Sequence, residues 1–253
     1  MEIKLAEGKK VYFASDFHLG TPDYASSRER EDKIVRWLNS IQSDADTIFL
    51  LGDIFDFWFE YKRAIPKGFA RFLGKLVELT DQGIKIIFFT GNHDMWMFVY
   101  FPSEFGTTIY REPIELTVGN TSFHIGHGDG LGPGDYSYKI IKKIFANKFC
   151  QWAFARLHPN FGIGIAEFWS RRSRLNNTHG QSLEDHGEDE WILSYCRDVE
   201  KDKHHDYYIF GHRHLKLEKK VNENSTYFNL GEWVFDSQYG IFDGQNFEVR
   251  KFE

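Results

Sequence analysis

Cysteine is scarce in this chain: 253 residues hold two, Cys150 and Cys196, and they form no CxxC pair. That excludes a disulfide framework and a thiolate zinc site, and it suits a reducing compartment. Also missing is any uncharged apolar run long enough to span a bilayer. The first ten residues, Met1-Glu2-Ile3-Lys4-Leu5-Ala6-Glu7-Gly8-Lys9-Lys10, lack the apolar stretch of a secretory signal, so the expected location is cytoplasmic. A basic excess is absent too. Lys and Arg number 31 against 37 Asp and Glu, giving a net charge of -6 and no electrostatic footprint for nucleic acid. No internal repeat, low-complexity tract or linker interrupts the sequence. The length, with 42% hydrophobic residues, predicts one domain over 1–253 carrying an insertion. Any bound metal must therefore be held by His, Asp and Asn.

What is present is a series of apolar runs, each ending in polar residues. Val11-Tyr12-Phe13-Ala14 reads as a buried strand and leads into Ser15-Asp16-Phe17-His18-Leu19-Gly20. Asp and His two residues apart leave an extended chain on the same side, where a carboxylate and an imidazole can share one divalent ion. Taken alone, the pair fits a solvated turn as well. After an amphipathic helix over 26–43, Thr47-Ile48-Phe49-Leu50-Leu51 ends in Gly52-Asp53. A helix over 67–82, with Gly83 as its cap, leads to Lys85-Ile86-Ile87-Phe88-Phe89-Thr90 and then Gly91-Asn92-His93-Asp94. Three β-α units thus deliver polar side chains to one sheet edge.

The pattern then changes. The runs 109–118 and 121–126 flank Gly119-Asn120 as a hairpin, and its second arm ends in Gly126-His127-Gly128-Asp129-Gly130. From Asp135 to about Asn177 the pattern turns helical, which predicts a helical cap insertion over about 135–185. A further helix over 188–201 precedes Tyr207-Tyr208-Ile209-Phe210 and Gly211-His212-Arg213-His214, and the tail returns to strands. His124, His158, His179, His186, His204 and His205 have no ligand-like spacing, and surface positions are expected for them.

Five strand ends therefore carry Asp16 and His18; Asp53; Asn92, His93 and Asp94; His127; and His212 and His214. This inventory suits two metal ions sharing a carboxylate, with imidazoles and a carboxamide around them and positions left for water and a phosphate oxygen. Glycine precedes Asp53, Asn92, His127 and His212, permitting sharp exits from strands and close approach of an anion.

As an ordered set, Asp16-Phe17-His18, Gly52-Asp53, Gly91-Asn92-His93-Asp94, Gly126-His127 and Gly211-His212-Arg213-His214 resemble the motifs of the calcineurin-like metallophosphoesterases. The resemblance implies an α+β fold, a four-layer αββα sandwich. It also implies two divalent ions, Mn foremost with Fe or Zn as alternatives. One would sit on Asp16, His18, Asp53 and His214, the other on Asp53, Asn92, His127 and His212, with hydrolysis of a phosphoester or phosphoanhydride as the reaction.

Within that family, the spacing and the insertion are similar to the branch that cleaves the diphosphate of UDP-2,3-diacylglucosamine in lipid A biosynthesis. That branch implies a lipid-linked nucleotide as substrate, peripheral attachment to the inner membrane, and substrate contacts at Asn92, His93, Asp135, Ser173, Asn177 and His212. The branch typically has Arg at the place of His93. His is the habit of the wider family, in which a histidine here, supported by Asp94, can protonate a leaving alkoxide. A phosphomonoesterase or phosphodiesterase acting on a nucleotide or other metabolite is the alternative. Between Tyr136 and Thr178, eight Lys and Arg face the single acid Glu167, interleaved with seven Phe and Trp. Such a segment fits a membrane surface or an acyl chain beside a phosphate, or an ordinary helical subdomain with its aromatics turned inward.

Overall fold

In the computed structural model, residues 1–133, 136–177 and 184–253 are described, with the side chains of Ser137, Trp169 and 171–177 outside the description. Short β1 (Glu2–Ile3) precedes β2 (Lys10–Ala14), α1 (Tyr24–Ile41), β3 (Ala45–Leu51), α2 (Ala70–Asp81), β4 (Lys85–Phe89), α3 (Tyr100–Phe105) and β5 (Thr108–Tyr110). The hairpin β6 (Ile114–Val118) and β7 (Thr121–Ile125) leads to α4 (Tyr136–Ala146), α5 (Lys148–Phe154) and α6 (Pro159–Asn177). After α7 (Trp191–Asp202) come β8 (Tyr207–Phe210), β9 (Lys216–Lys220), β10 (Thr226–Leu230), β11 (Gln238–Phe242) and β12 (Phe247–Lys251).

The strands form two six-stranded sheets, β12-β11-β2-β3-β4-β5 and β1-β6-β7-β8-β10-β9. The continuous apolar runs of β2, β3 and β4 are explained by burial on both faces. Val11, Phe13, Phe49, Leu51, Ile87 and Phe89 point into the core between the sheets, against Leu116, Phe123, Ile125, Ile209 and Phe228. Their alternates Tyr12, Ala14, Ile48, Leu50, Ile86 and Phe88 meet Ile34, Trp37 and Leu38 of α1 and Phe72, Leu76 and Leu79 of α2. On the far face of the second sheet, Ile192, Leu193 and Cys196 of α7 pack on Tyr208, Phe210 and Tyr227. Helices, sheet, sheet, helix: the expected four-layer αββα architecture is present.

Two expectations are corrected. The run 109–118 is not one hairpin arm. It divides into β5, which joins the first sheet beside β4, and β6, which joins the second. Pro113, which has no amide hydrogen to donate, stands where the chain changes sheets. His124 and His205, expected at the surface, are buried beneath α7, where His124 Nε2 lies 3.0 Å from the Tyr195 hydroxyl. Both belong to the side of the second sheet that α7 covers, so tertiary packing overrides their polarity. His179 lies outside the described residues.

Candidate metal centre

β2, β3 and β4 run parallel, so their C-terminal ends open at one edge, and β7 and β8, parallel to each other, bring their ends to it as well. The loops leaving these strands are unusually tight. Asp16, His18, Asp53, His212 and His214 all hold positive φ, between 44° and 71°, although none is glycine. A backbone in this region is uncommon for residues with a Cβ and costs on the order of 1 kcal/mol or more each. Here it turns the side chains of successive strand ends toward one point.

Ligand atoms of Asp16, His18, Asp53 and His214 lie within 4.8 Å of one another, and so do those of Asp53, His127 and His212. Asp53 belongs to both groups. In the first, His18 Nε2 is 3.1 Å from His214 Nε2, and His214 Nε2 is 3.2 Å from Asp16 Oδ1. In the second, Asn92 Oδ1 lies 3.0 Å from His212 Nδ1 and 3.3 Å from His127 Nε2, which is itself 3.4 Å from Asp53 Oδ2. The structure therefore brings together all seven residues of the two expected ligand sets.

Each acid divides its oxygens in the way a cation site requires. Asp16 Oδ2 accepts hydrogen bonds from Ser15 Oγ and the His212 amide, while its buried Oδ1 has no hydrogen-bond partner among the described residues. Asp53 Oδ1 accepts the His93 amide at 2.9 Å, leaving Oδ2 toward His18 and His127. The Nδ1 of His127 is fixed 2.7 Å from the Leu51 carbonyl, which can only accept, so the proton resides there and Nε2 faces the site. Buried carboxylate oxygens and imidazole nitrogens converging on one point fit divalent ions bound by nitrogen and oxygen.

The electrostatics show the same demand for positive charge. Burial would raise Asp53 and Asp16, but neighbouring imidazoles outweigh it and hold both below the usual carboxylate range. His127 moves the other way: burial lowers it, yet Asp53 draws it up to about 10. In the ion-free chain, a proton on His127 supplies the cation between the acids. His93 and His212 are pushed down to about 4, chiefly by burial.

Asp94 does not support the His93 ring as expected. Its buried carboxylate accepts backbone amides from Gly91 at 2.8 Å, Ile54 at 2.8 Å, Phe55 at 3.3 Å and Asp53 at 3.3 Å. It clamps the β3 and β4 exits together. Burial and the charge of Asp53 push its pKa up to about 7 against the pull of those amides. The acid beside His93 is Asp56, whose carbonyl is 3.0 Å and carboxylate 3.8 Å from His93 Nδ1.

Other contributors were silent in the sequence. Arg30 of α1 donates to the carbonyls of His18 and Thr21, and the Trp233 amide donates to Asp16 O at 3.1 Å. Ser170 of α6 sits 3.1 Å from Asp56 Oδ2 and 3.2 Å from His93 Nδ1, while Tyr138 and Lys142 of α4 bind the buried carboxylate of Asp129. A signal existed only for Asp129, in the glycine-rich loop after β7. Asp135 lies outside the described residues; Ser173 and Asn177 belong to α6, but their side chains lie outside the description.

Residues 9–216 match the calcineurin-like phosphoesterases, a span holding every ligand candidate above. The chain belongs to the calcineurin-like phosphoesterase family. As a family member it is a metallophosphoesterase, a hydrolase. It is similar to a UDP-2,3-diacylglucosamine hydrolase of Porphyromonas gingivalis, 33% identical over 96% of this chain and 98% of that protein. A UDP-2,3-diacylglucosamine hydrolase of Histophilus somni is 25% identical over 89% of this phosphoesterase and 92% of its own length. Among solved structures, the phosphoesterase Yfce of E. coli aligns over 96% of this chain and 100% of its own, at 15% identity and a TM-score of 0.43.

Proposed function

We propose that this phosphoesterase hydrolyses the diphosphate of UDP-2,3-diacylglucosamine, yielding UMP and 2,3-diacylglucosamine 1-phosphate (lipid X) in lipid A biosynthesis. The observation that carries the reading is the convergence of two ligand groups on Asp53, in a chain whose 33% identical relative of that name aligns nearly end to end. Asp16, His18, Asp53 and His214 would hold one divalent ion, and Asp53, Asn92, His127 and His212 the other, with Mn preferred over Fe or Zn. When bound there, such ions supply Lewis acidity toward phosphoryl oxygens and a water acidic enough to ionise near neutral pH.

The chain's own groups then bind and orient. Asn92, His93, Asp135, Ser173, Asn177 and His212 would contact the substrate. The proton on His93 Nδ1 is committed to the Asp56 carbonyl, so the ring presents Nε2. In the ion-free chain burial lowers His93 to about 4, which favours a neutral ring near neutral pH. A neutral His93 suits cleavage of a diphosphate, whose leaving group is a phosphate and needs little protonation, better than release of an alkoxide. A second reading, hydrolysis of a phosphomonoester or phosphodiester, draws on Asp56 beside His93, an acid placed to support a leaving-group histidine.

The helices α4 to α6 act as the cap over the site and as its contact with the inner membrane, where the protein would sit peripherally on the cytoplasmic side. No described helix is long and apolar enough to cross a membrane. The test is hydrolysis by the purified protein with added Mn of UDP-2,3-diacylglucosamine, UDP-N-acetylglucosamine, a phosphomonoester and a phosphodiester. UMP from the diacylated substrate alone is expected. Turnover of the simple esters without the lipid nucleotide would replace this reading with the second.

A further inference from the structure

Between two ligand candidates, His212 and His214, stands Arg213, and its guanidinium does not face the site. It forms a buried two-point contact with the carboxylate of Glu190, Nε to Oε2 at 3.0 Å and Nη2 to Oε1 at 2.9 Å, and donates to the Glu184 carbonyl at 2.8 Å. Glu190 is fully buried at the start of α7, where its carbonyl accepts the Ser194 amide and its Oε1 also takes the His186 amide at 3.3 Å. The next turn of α7 is anchored in the apolar layer by Ile192, Leu193 and Cys196.

Burying an ion pair costs desolvation energy that apolar residues of similar volume would avoid, so stability alone is a weak reason for one here. Direction is a better reason: a guanidinium fork gripping both oxygens of a carboxylate fixes its own plane and the backbone that carries it. His212 and His214 on either side hold φ of 71° and 54°, conformations that relax unless the surroundings impose them. We infer that Glu190 is a positioning residue for the metal loop, acting through Arg213 to hold His212 and His214 in their ligating geometry. Because His212 belongs to one ligand group and His214 to the other, a single ion pair supports one imidazole of each. This rests on the reading that both groups hold divalent ions.

The experiment uses the full chain stripped of metal. Mn binding is followed by calorimetry and Co(II) binding by visible absorption in the wild type, Arg213→Lys, Glu190→Gln and the double variant Glu190→Leu/Arg213→Met, with Asp53→Asn as the ligand control. Arg213→Lys keeps the charge but loses the fork, and the double variant leaves no charge unpaired. Each is expected to weaken both binding events by about 10- to 100-fold and to alter the Co(II) bands, as loss of support behind ligands does. If a single variant does not fold, the double variant decides by the same readout. Wild-type affinity and unchanged Co(II) bands in a folded Arg213→Lys or double variant would overturn the inference while leaving the metal centre standing. A wild type that takes up no ion, seen in the first titration, would overturn the metal reading and this one with it.

Discussion

Gly91 lies so close against Asp53 that a Cβ at 91 would stand 2.6 Å from the Asp53 nitrogen and 2.8 Å from its Cγ. Neither neighbour can yield, since both belong to the residue that the two ligand groups share. Gly91→Ala is expected to displace the carboxylate and reduce turnover about 100-fold or more, the scale of a displacement near 1 Å at reacting groups. Gly74, exposed within α2 with nothing within 4 Å of where a Cβ would stand, is the contrast. There Ala should stabilise by about 0.5–1 kcal/mol without touching activity. Thermal midpoints and initial rates of the two variants check both expectations.

Asp53→Asn keeps the volume and removes the charge at the meeting point of the groups. Turnover should vanish, and bound metal measured by atomic emission should fall from two ions to one or none. His127 loses the acid that draws its pKa up, so the ion-free variant also loses the internal proton that stands in for a cation. Near wild-type turnover with full metal content would refute Asp53 as the shared ligand.

The centre was legible in the sequence to the extent that it is local. Asp16, His18, Asp53, Asn92, His127, His212 and His214 each lie within four residues of the end of an apolar strand, so strand order and a shared sheet edge were enough to gather them. What supports them was not legible. Asp56 sits inside the aromatic stretch Ile54-Phe55-Asp56-Phe57-Trp58, where nothing marks it as the neighbour of a histidine 37 positions later. Glu190 meets Arg213 across 23 residues and Ser170 meets Asp56 across 114. These partners are chosen by how helices dock on the sheets, and no spacing rule encodes that. Asp94 shows the converse: adjacency to His93 suggested a partnership, but four backbone amides claim its carboxylate.

Stability should depend on pH through His124. Burial, reinforced by the charge of His205, lowers it to about 4 from 6.5, with Glu115 pulling the other way. The unfolded chain binds the proton first as pH falls, so the contribution is complete above about 6.5, declines below it, and is gone near 4. The loss is about 3 kcal/mol at most, at 1.36 kcal/mol per unit. Urea midpoints at pH 7.5 and 5 should differ less in His124→Gln than in the wild type. An unchanged difference would show that His124 does not titrate in that window.

The helices proposed as the membrane face leave large apolar side chains in water: Phe149 is 71% exposed, Phe161 60% and Trp152 53%. Phe149 and Trp152 stack with ring centroids 5.7 Å apart, and the Arg156 guanidinium lies 4.9 Å from the Trp152 ring. An aromatic pair beside a cation suits the boundary where acyl chains meet anionic headgroups. Full burial of such a side chain is worth roughly 1.5–3 kcal/mol, and the partial burial open to these two still amounts to about tenfold in partitioning each. Phe149→Ser and Trp152→Ser should each weaken co-sedimentation with phosphatidylglycerol vesicles by about that factor and raise the apparent KM for a vesicle-borne lipid nucleotide. Mn uptake by the metal-stripped variants should be unaffected, because these two exposed rings pack on each other and Arg156 and not on the residues of the two ligand groups. Weakened Mn uptake with unchanged vesicle binding would mean that the pair holds the helices on the site and has no part in meeting a lipid surface.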